Sequence, residues 1–297
     1  MTEFRGVIPA LLTLFTRNGA EVDLEATGKL ADWLIKRGVN ALFIAGSTGE
    51  GPLMSLQERR TLAEFMVERV GGRVALIVQT GCASARDTIE LTKHARLVGA
   101  DAAGVVTPYY YNLDQRALQQ YYSKLARTTP DFPLLLYNIP SLTGNELTAK
   151  LVENLVRRYE NIVGIKDSSG SLEQLKKYLR IPRDNLTVIC GMDALVLDAL
   201  RLGARGNVSS TANVVPHFFV KMHASFRKGN ARAAKRRQDR IIELGELLWT
   251  PNYIPAMKEM LGLLGLPTGA SRSPQRKLTA GESRALERGL RALKILS

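Results

Sequence analysis

Short apolar runs recur along the 297-residue chain, and most are followed by a longer stretch with helical periodicity. A continuous apolar run of about four to eight residues is typical of a strand buried on both faces, as in a parallel sheet. The pattern predicts strands at residues 7–12, 41–45, 74–78, 102–106, 134–137, 162–166, 186–190 and 206–209.

The stretches between these runs are amphipathic and predict helices. Ser55 followed by Glu58 matches a capping box, and Thr148 is a further candidate N-cap. The helices predicted between strands include residues 24–37, 56–70, 85–98, 114–127, 148–159 and 172–178.

Strands and helices that alternate in this way are typical of parallel β-α units. A closed barrel accounts for the strand count, so we predict a (β/α)8 TIM barrel, with an open doubly wound sheet as the alternative. No Gly-x-Gly-x-x-Gly follows the first strand and no Gly-Lys-Ser/Thr loop occurs, so nucleotide binding lacks support.

The alternation ends after Ser210, and the remaining chain predicts only helices, at residues 216–228, 231–248, 254–264 and 283–296. No low-complexity linker precedes them. We expect residues 1–215 to form the barrel and residues 216–297 to form a C-terminal helical extension packed on it.

The chain is basic, with 41 Lys and Arg against 28 Asp and Glu and a net charge of +13. The densest run lies at residues 227–240, without interleaved aromatic residues and without a nucleic-acid-binding motif. We interpret it as a solvated helix face and expect no nucleic-acid partner. The positive charge instead favours the attraction of small anionic substrates.

Cys82 and Cys190 lie far apart and form no spaced motif, which is typical of a reducing compartment. No apolar stretch is long enough to span a bilayer, and the first residues do not resemble a secretory signal. We therefore expect a cytoplasmic protein without a membrane partner.

Lys166 ends the sixth apolar run, within GIKDSSG at residues 164–170. Burial at the rim of a dry core disfavours the charged form and lowers the pKa of a lysine. A neutral amine can attack a ketone and form a Schiff base. The alternative is a lysine that snorkels from the strand end into solvent.

Further polar side chains follow the carboxyl ends of predicted strands, where barrel enzymes carry their active sites. Ser47 and Thr48 lie in a glycine-permitted turn whose backbone N–H groups and hydroxyls suit a carboxylate. Tyr137 ends strand five, where a phenol can shuttle a proton, although an aromatic residue there is often only packing. Together with Lys166, these residues predict a site for a 2-oxo acid.

The motifs resemble those of the pyruvate-dependent class I aldolases and lyases, which include dihydrodipicolinate synthase, N-acetylneuraminate lyase and 2-keto-3-deoxygluconate aldolase. The resemblance extends over about residues 6–266 and is specific in the combination and order of its motifs. These are GSTGE at residues 46–50, TPYY at 107–110, YNIPSLTG at 137–144 and GIKDSSG at 164–170.

The resemblance implies that Lys166 is the Schiff-base lysine and Tyr137 the catalytic tyrosine beside it. Ser47 and Thr48 match the pair that binds the pyruvyl carboxylate, and Ser47 also belongs to the proton relay. Val208 matches a position whose backbone carbonyl lines the site.

Tyr110 matches a tyrosine that completes the relay of a neighbouring subunit, with the extra Tyr111 as the other candidate. The resemblance further implies a homo-oligomer, a dimer or tetramer, and no metal or organic cofactor. A metal-dependent aldolase would need clustered His and carboxylate ligands. His94, His217 and His223 do not fall on the predicted rim in such a pattern.

Departures from the family pattern bear on the substrate. Dihydrodipicolinate synthases carry a carboxylate-binding arginine where this chain has Leu142, and leucine cannot make that contact. N-acetylneuraminate lyases carry a sugar-binding glutamate where this chain has Ala194. Asp193, Ser209 and Ser210 remain as candidate partners for substrate hydroxyls.

We therefore predict a lyase that reversibly cleaves a 2-keto-3-deoxy sugar acid to pyruvate and an aldehyde. The alternatives are a dihydrodipicolinate synthase in which another arginine substitutes at the site, and a sugar-acid dehydratase of the same family. The non-enzyme alternative is a basic binding module, against which the intact set of Lys166, Tyr137 and Ser47 weighs.

Overall fold

The computed structural model describes residues 4–182 and 186–296. The strands in these ranges are β1 Gly6–Pro9, β2 Ala41–Ile44, β3 Ala75–Gln79, β4 Ala102–Val106, β5 Leu134–Asn138, β6 Ile162–Asp167, β7 Thr187–Cys190 and β8 Gly206–Ser209. All of them pair in parallel in one sheet, in the order β1-β8-β7-β6-β5-β4-β3-β2.

The sheet closes because the chain just after β1 also pairs with β2. Ala10 forms a parallel bridge with Phe43, and the Leu11 N–H donates to the Phe43 carbonyl at 2.9 Å. With helices between the strands, this is the predicted (β/α)8 barrel, and the open sheet is excluded. The first strand is shorter than predicted because the Leu12 N–H bonds to the Asn213 side chain at 3.0 Å instead of to a strand.

The helices between the strands agree with the sequence-based prediction, with two additions. Neither α5, of four residues, nor α8, of six, was predicted, because helical periodicity cannot be recognised in fewer than two turns. The helices up to β8 are α1 Leu24–Lys36, α2 Leu56–Val70, α3 Ala85–Leu97, α4 Gln115–Thr128, α5 Pro140–Thr143, α6 Ala149–Arg158, α7 Leu172–Leu179 and α8 Val196–Arg201.

Both predicted N-caps are present. The Ser55 hydroxyl accepts from the Glu58 N–H at 3.1 Å while the Glu58 carboxylate accepts from the Ser55 N–H at 2.8 Å, which completes the capping box of α2. Thr148 caps α6 by accepting from the Leu151 N–H at 3.3 Å. These caps fix where each helix leaves the loop that precedes it.

The apolar side chains form two cores. The larger lies between the strands and the surrounding helices. The smaller fills the barrel interior and includes Ile8, Phe43, Leu135, Tyr137 and Val208. Because the interior is packed, the barrel is not a pore and its interior offers no room for a ligand except at its ends.

The chain after β8 is helical, as predicted, and contains α9 Pro216–Arg227, α10 Ala231–Leu248, α11 Tyr253–Leu263 and α12 Ala280–Ala292. Helix α9 packs against β1, and α10 packs against α9. The last helix begins three residues earlier than predicted, because Thr279 and Glu282 form a capping box that the apolar pattern did not reveal. The division of the chain at residue 215 stays a prediction.

A buried ion pair joins these helices to the loop after β2. Lys258 of α11 donates to the Glu50 carboxylate, and both side chains are almost fully excluded from solvent. Lys258 Nζ also donates to the Ala270 carbonyl at 2.8 Å, and the second Glu50 oxygen accepts from the Arg272 N–H at 2.8 Å. Burial lowers the pKa of Lys258, and the Glu50 charge opposes this effect.

We expect Lys258→Met to lower the free energy of unfolding by about 3–5 kcal/mol, because it leaves the Glu50 carboxylate buried and unpaired. Urea denaturation at constant protein concentration measures the change. Lys235→Met is the matched control: Lys235 pairs with Asp239 on the surface of α10, and its loss should cost at most about 1 kcal/mol. Equal effects of the two substitutions would contradict the importance of the buried pair.

Candidate active site

Lys166 lies in β6 and its register partner in the neighbouring strand β5 is Tyr137. Both side chains are buried, at 6% and 2% exposure. Lys166 Nζ is 3.6 Å from the centroid of the Tyr137 ring and 4.6 Å from that of Phe43. The predicted lysine–tyrosine pair is therefore assembled by parallel pairing of two adjacent strands.

No carboxylate forms an ion pair with Lys166 within residues 4–182 and 186–296. The amine instead lies over the rings of Phe43 and Tyr137, which attract a cation weakly. Phe43 was not among the predicted site residues, because in the sequence it is one apolar residue of a buried strand. Nothing in its local pattern distinguishes it from its neighbours.

The loop of residues 46–51 follows β2 and carries Ser47, which is half-buried, and Thr48, which is buried. In the part of the chain that the structure describes, the backbone N–H groups of Ser47, Thr48 and Gly49 donate to no protein acceptor. Free, closely spaced N–H groups can bind an anion. The loop therefore has donors available for an anion, and the carboxylate nest stays a prediction.

The glycines of this loop are needed because neighbouring atoms leave no room for a Cβ. The sequence instead predicts that they allow the backbone conformation of the turn. The left-handed residues are Ala45 and Glu50, each at φ 54°. A Cβ on Gly51 would lie 1.9 Å from the Ala45 carbonyl oxygen, and one on Gly46 would lie 2.8 Å from the Phe43 ring. The loop therefore folds tightly against the strand end and the ring beside Lys166.

Tyr253, the first residue of α11, contacts the loop from the C-terminal helices. Burial raises the pKa of Tyr253 to about 12, and the nearby Thr48 side chain opposes the rise. The charge of an ionised Tyr137 would raise it further, so the two phenols are close. The sequence analysis missed Tyr253 because it lies outside the β-α repeat, where no strand end marked it.

Asp193 lies after β7 and is buried, at 6% exposure. Neither its carboxylate oxygens nor the Thr211 hydroxyl has a hydrogen-bond partner of good geometry among the described residues. Burial raises the pKa of Asp193, while the nearby Thr211 and Ser209 side chains and the Lys166 charge oppose the rise. Asp193 thus offers unused acceptors near Lys166.

Other contacts hold this region in place. Gln238 of α10 donates to the Asp193 carbonyl at 2.8 Å and accepts from the Leu197 N–H at 2.9 Å. The Ser209 hydroxyl accepts from the Ala212 N–H at 3.0 Å. Val208 is buried in β8, in register with Ile8 of β1.

Asp167, next to Lys166, has a different environment. Its carboxylate accepts from Asn138 Nδ2 at 2.9 Å and from the Ser169 hydroxyl at 2.9 Å. Burial raises its pKa, and these hydrogen bonds oppose the rise. Asn138 also accepts from the Leu147 N–H at 3.0 Å. This network ties the ends of β5 and β6 together and so supports the lysine–tyrosine pair.

Tyr110 and Tyr111 differ from the other predicted site residues because both are exposed, at 86% and 71%. Their rings pack edge to face with centroids 5.0 Å apart. Tyr110 has φ 85°, a strained conformation for a residue that is not glycine. Leu142 is also exposed, at 61%. In a single chain, Tyr110 is therefore not part of the buried set around Lys166.

The three histidines lie elsewhere. His94 pairs with Glu64 at 2.8 Å, and His223 pairs with Asn207 at 2.8 Å, where burial lowers the pKa of His223 to about 4. Among the described residues, no three His, Cys, Asp or Glu side chains are grouped so as to hold a metal ion. No helix in these ranges has the length and apolar character needed to cross a membrane.

The family model of the dihydrodipicolinate synthetase family matches residues 3–293. The chain belongs to this family. Its members are pyruvate-dependent lyases and aldolases, so the protein is an enzyme of that class.

Relatives with two different activities resemble it. A 4-hydroxy-tetrahydrodipicolinate synthase of Thermus thermophilus is 38% identical over 265 residues, which cover 89% of this chain and 87% of that protein. YagE of Escherichia coli K12, whose name carries a proposed 2-dehydro-3-deoxy-D-gluconate aldolase activity, is 35% identical over 269 residues, covering 89% and 88%.

Solved structures agree with the fold. YagE in complex with pyruvate superposes with a TM-score of 0.94 at 33% identity, covering 98% of this chain and 99% of that one. A dihydrodipicolinate synthase from Cyanidioschyzon merolae with lysine bound gives 0.95 at 33% identity, covering 100% of both chains. Family membership therefore fixes the reaction class and leaves the substrate open.

We expect Tyr253→Phe to weaken pyruvate binding while the fold is retained, because the substitution removes only the hydroxyl that lies near the Thr48 side chain and can donate to it. The loss of one hydrogen bond, about 0.5–1.5 kcal/mol, corresponds to a rise of about two- to tenfold in the pyruvate concentration for half-maximal borohydride trapping. Tyr159→Phe, near the surface, is the control. An unchanged half-saturation in Tyr253→Phe would show that this phenol does not support the loop.

Proposed function

We propose that the enzyme cleaves a 2-keto-3-deoxy sugar acid to pyruvate and an aldehyde through an imine on Lys166. The observation that carries the proposal is the buried Lys166 amine beside the Tyr137 ring, with the unpartnered Asp193 carboxylate nearby. Lys166 and Tyr137 suit imine chemistry, and the Asp193 carboxylate suits a substrate that carries hydroxyl groups.

The chemical steps follow from these side chains. The Lys166 amine attacks the C2 ketone, and the Tyr137 phenol gives its proton to the departing hydroxyl, so that water leaves and a protonated imine and a Tyr137 phenolate remain. Tyr137 accepts the proton of the C4 hydroxyl as the C3–C4 bond breaks, and the bonding electrons move into the imine to form an enamine. The aldehyde leaves, C3 takes up a proton, and water hydrolyses the imine to release pyruvate and restore Lys166.

The loop of residues 46–51 would hold the substrate carboxylate during these steps. The free N–H groups of Ser47, Thr48 and Gly49 support this role, since they need an acceptor. The Ser47 and Thr48 hydroxyls add donors, and Ser47 would also pass protons to Tyr137. The Val208 carbonyl would line the mouth on β8, which only β1 separates from the strand that precedes the loop.

The far end of the substrate would meet Asp193 and Ser209. A buried carboxylate without hydrogen bonds is costly, and a substrate hydroxyl donating to it would offset that cost. Leu142 supports the same conclusion, since it cannot bind a second carboxylate as arginine does. The proposed substrate is therefore a polyhydroxylated acid with one carboxylate.

The second candidate is the condensation of pyruvate with aspartate semialdehyde. It is favoured by the Thermus relative named 4-hydroxy-tetrahydrodipicolinate synthase. The sequence identity of that relative to this chain is 38%, against 35% for YagE. The two reactions share Lys166, Tyr137 and the loop of residues 46–51. They differ in whether the far end of the site must bind a carboxylate or hydroxyl groups.

Borohydride trapping tests the proposal directly. Intact-protein mass should show a pyruvate-sized adduct at Lys166 after reduction with pyruvate and also with 2-keto-3-deoxygluconate, and none in Lys166→Ala. An adduct with pyruvate alone would reject the sugar acid and favour the semialdehyde reaction, which a condensation assay then checks. No adduct with either compound would contradict the imine mechanism.

Asp193→Asn should separate substrate recognition from imine formation. It replaces an acceptor for substrate hydroxyls, so we expect KM for 2-keto-3-deoxygluconate to rise by about tenfold or more, as for the loss of a charged hydrogen bond. Trapping with pyruvate should change little, because pyruvate has no hydroxyl group to bind. Asp198→Asn, on the exposed surface of α8, is the control; equal losses for both compounds would contradict the assignment.

We also propose that Tyr110 serves the active site of a neighbouring subunit. Its exposure and its left-handed backbone support this role, since strain in an exposed aromatic residue calls for a function beyond the single chain. Tyr111 is the competing residue, because it is also exposed and packs on the same ring.

Subunit mixing distinguishes these tyrosines. Tyr110→Phe should lose activity about 100-fold, as expected for a proton relay. Co-refolding it with Lys166→Ala should restore roughly a quarter of the wild-type activity, because in mixed pairs one intact Lys166 site receives one intact Tyr110. If activity is restored only when Tyr111→Phe is mixed with Lys166→Ala, the role belongs to Tyr111. If neither tyrosine variant regains activity in the mixture, the proton relay lies within one chain.

A further inference from the structure

A second cavity, of about 320 Å³, opens on the outside of the barrel between α1, α9 and the segments that follow α11 and α12. Trp33, Phe218, Leu264 and Leu266 give it apolar walls. Its volume lies at the small end of the range of about 300–1,000 Å³ that is usual for ligand pockets. None of its lining residues belongs to the set around Lys166.

Positive charges converge on this cavity. Arg37 and Lys294 line it together with His217. The pKa of His217 is lowered first by burial and then by the charges of Lys221, Arg37 and Arg237. Within residues 4–182 and 186–296, none of these four cations forms an ion pair with Asp or Glu.

Other cations of this basic chain, Lys228 and Arg232 among them, also lack an acidic partner in the described residues, so what distinguishes the cavity is that Arg37 and Lys294 line one concave site with apolar walls. Elsewhere Arg272 pairs with Glu58, Arg69 with Asp32, and Arg240 with Glu243. These pairs are made even where the side chains are partly exposed. The cluster at the cavity instead leaves several like charges close together around one imidazole.

We propose that this cavity binds a small amphipathic anion, with an aromatic or acyl body and a single carboxylate, sulfonate or phosphate group. The body would lie against Trp33 and Phe218, and the anionic group would meet Arg37 and Lys294 at the rim. The Arg37 guanidinium lies over the Trp33 ring, 5.2 Å from its centroid, so a ligand that contacts the uncovered part of that ring would have a cation within reach. Binding would offset the repulsion among the four cations.

This site is independent of the reaction at Lys166, and a fluorescent probe can test it alone. The chain has two tryptophans, so Trp249→Phe leaves Trp33 as the only emitter. We expect 1-anilinonaphthalene-8-sulfonate to bind the full-length Trp249→Phe protein saturably at one site per chain, with energy transfer from Trp33. Octanoate should displace the probe, whereas neutral 1-octanol and pyruvate should not.

Charge variants give the deciding comparison. Arg37→Gln combined with Lys294→Gln should raise the Kd of the probe by about tenfold or more, because two charged contacts are lost. Both residues are exposed, so the fold should tolerate the changes. Lys228→Gln combined with Arg232→Gln, exposed cations that do not line the cavity, is the matched control and should leave the Kd unchanged.

Four results would overturn the proposal. The first is that the probe does not bind saturably, and the second is that Arg37→Gln combined with Lys294→Gln leaves its Kd unchanged. The third is that 1-octanol displaces the probe as effectively as octanoate does, and the fourth is that pyruvate displaces it. The third would mean that the cavity selects apolar bodies without regard to charge. The fourth would mean that the probe occupies the barrel mouth.

Discussion

The ion pair between Glu50 and Lys258 is the interaction on which the arrangement of the site depends. Both charges are withdrawn from water, and a buried charge without its partner is strongly destabilising. Glu50 lies at the end of the loop that follows β2, and Lys258 belongs to a helix more than two hundred residues further along the chain. The Arg272 N–H and the Ala270 carbonyl complete the hydrogen bonding, so the loop is fixed from the C-terminal side.

The active site therefore has two structural sources. Parallel strand pairing brings Lys166 beside Tyr137, which needs only the barrel. The C-terminal helices then contact the surrounding elements: Tyr253 contacts Thr48, and Gln238 holds the turn that carries Asp193. An extension that looks peripheral in the sequence thus contributes to the shape of the barrel mouth.

These two sources explain how far the sequence allowed prediction. The barrel, the caps and the strand-end residues follow from short-range patterns, because a strand end and a cap each leave a local signature. Tyr253, Phe43 and the partner of Glu50 leave none, since their roles arise from contacts between distant segments. The substrate cannot be read from the same patterns, because relatives named for two different activities resemble this chain to a similar degree.

The Glu50–Lys258 contact also has a consequence for the order of events during protein synthesis. All eight strands have been made once Ser209 leaves the ribosome, and the Lys166–Tyr137 pair could already form. The loop of residues 46–51 would still carry a carboxylate without its counter-charge until about fifty further residues, up to Lys258, had emerged. A nascent barrel would thus be nearly complete in shape before it could hold its substrate, so catalytic competence would come last.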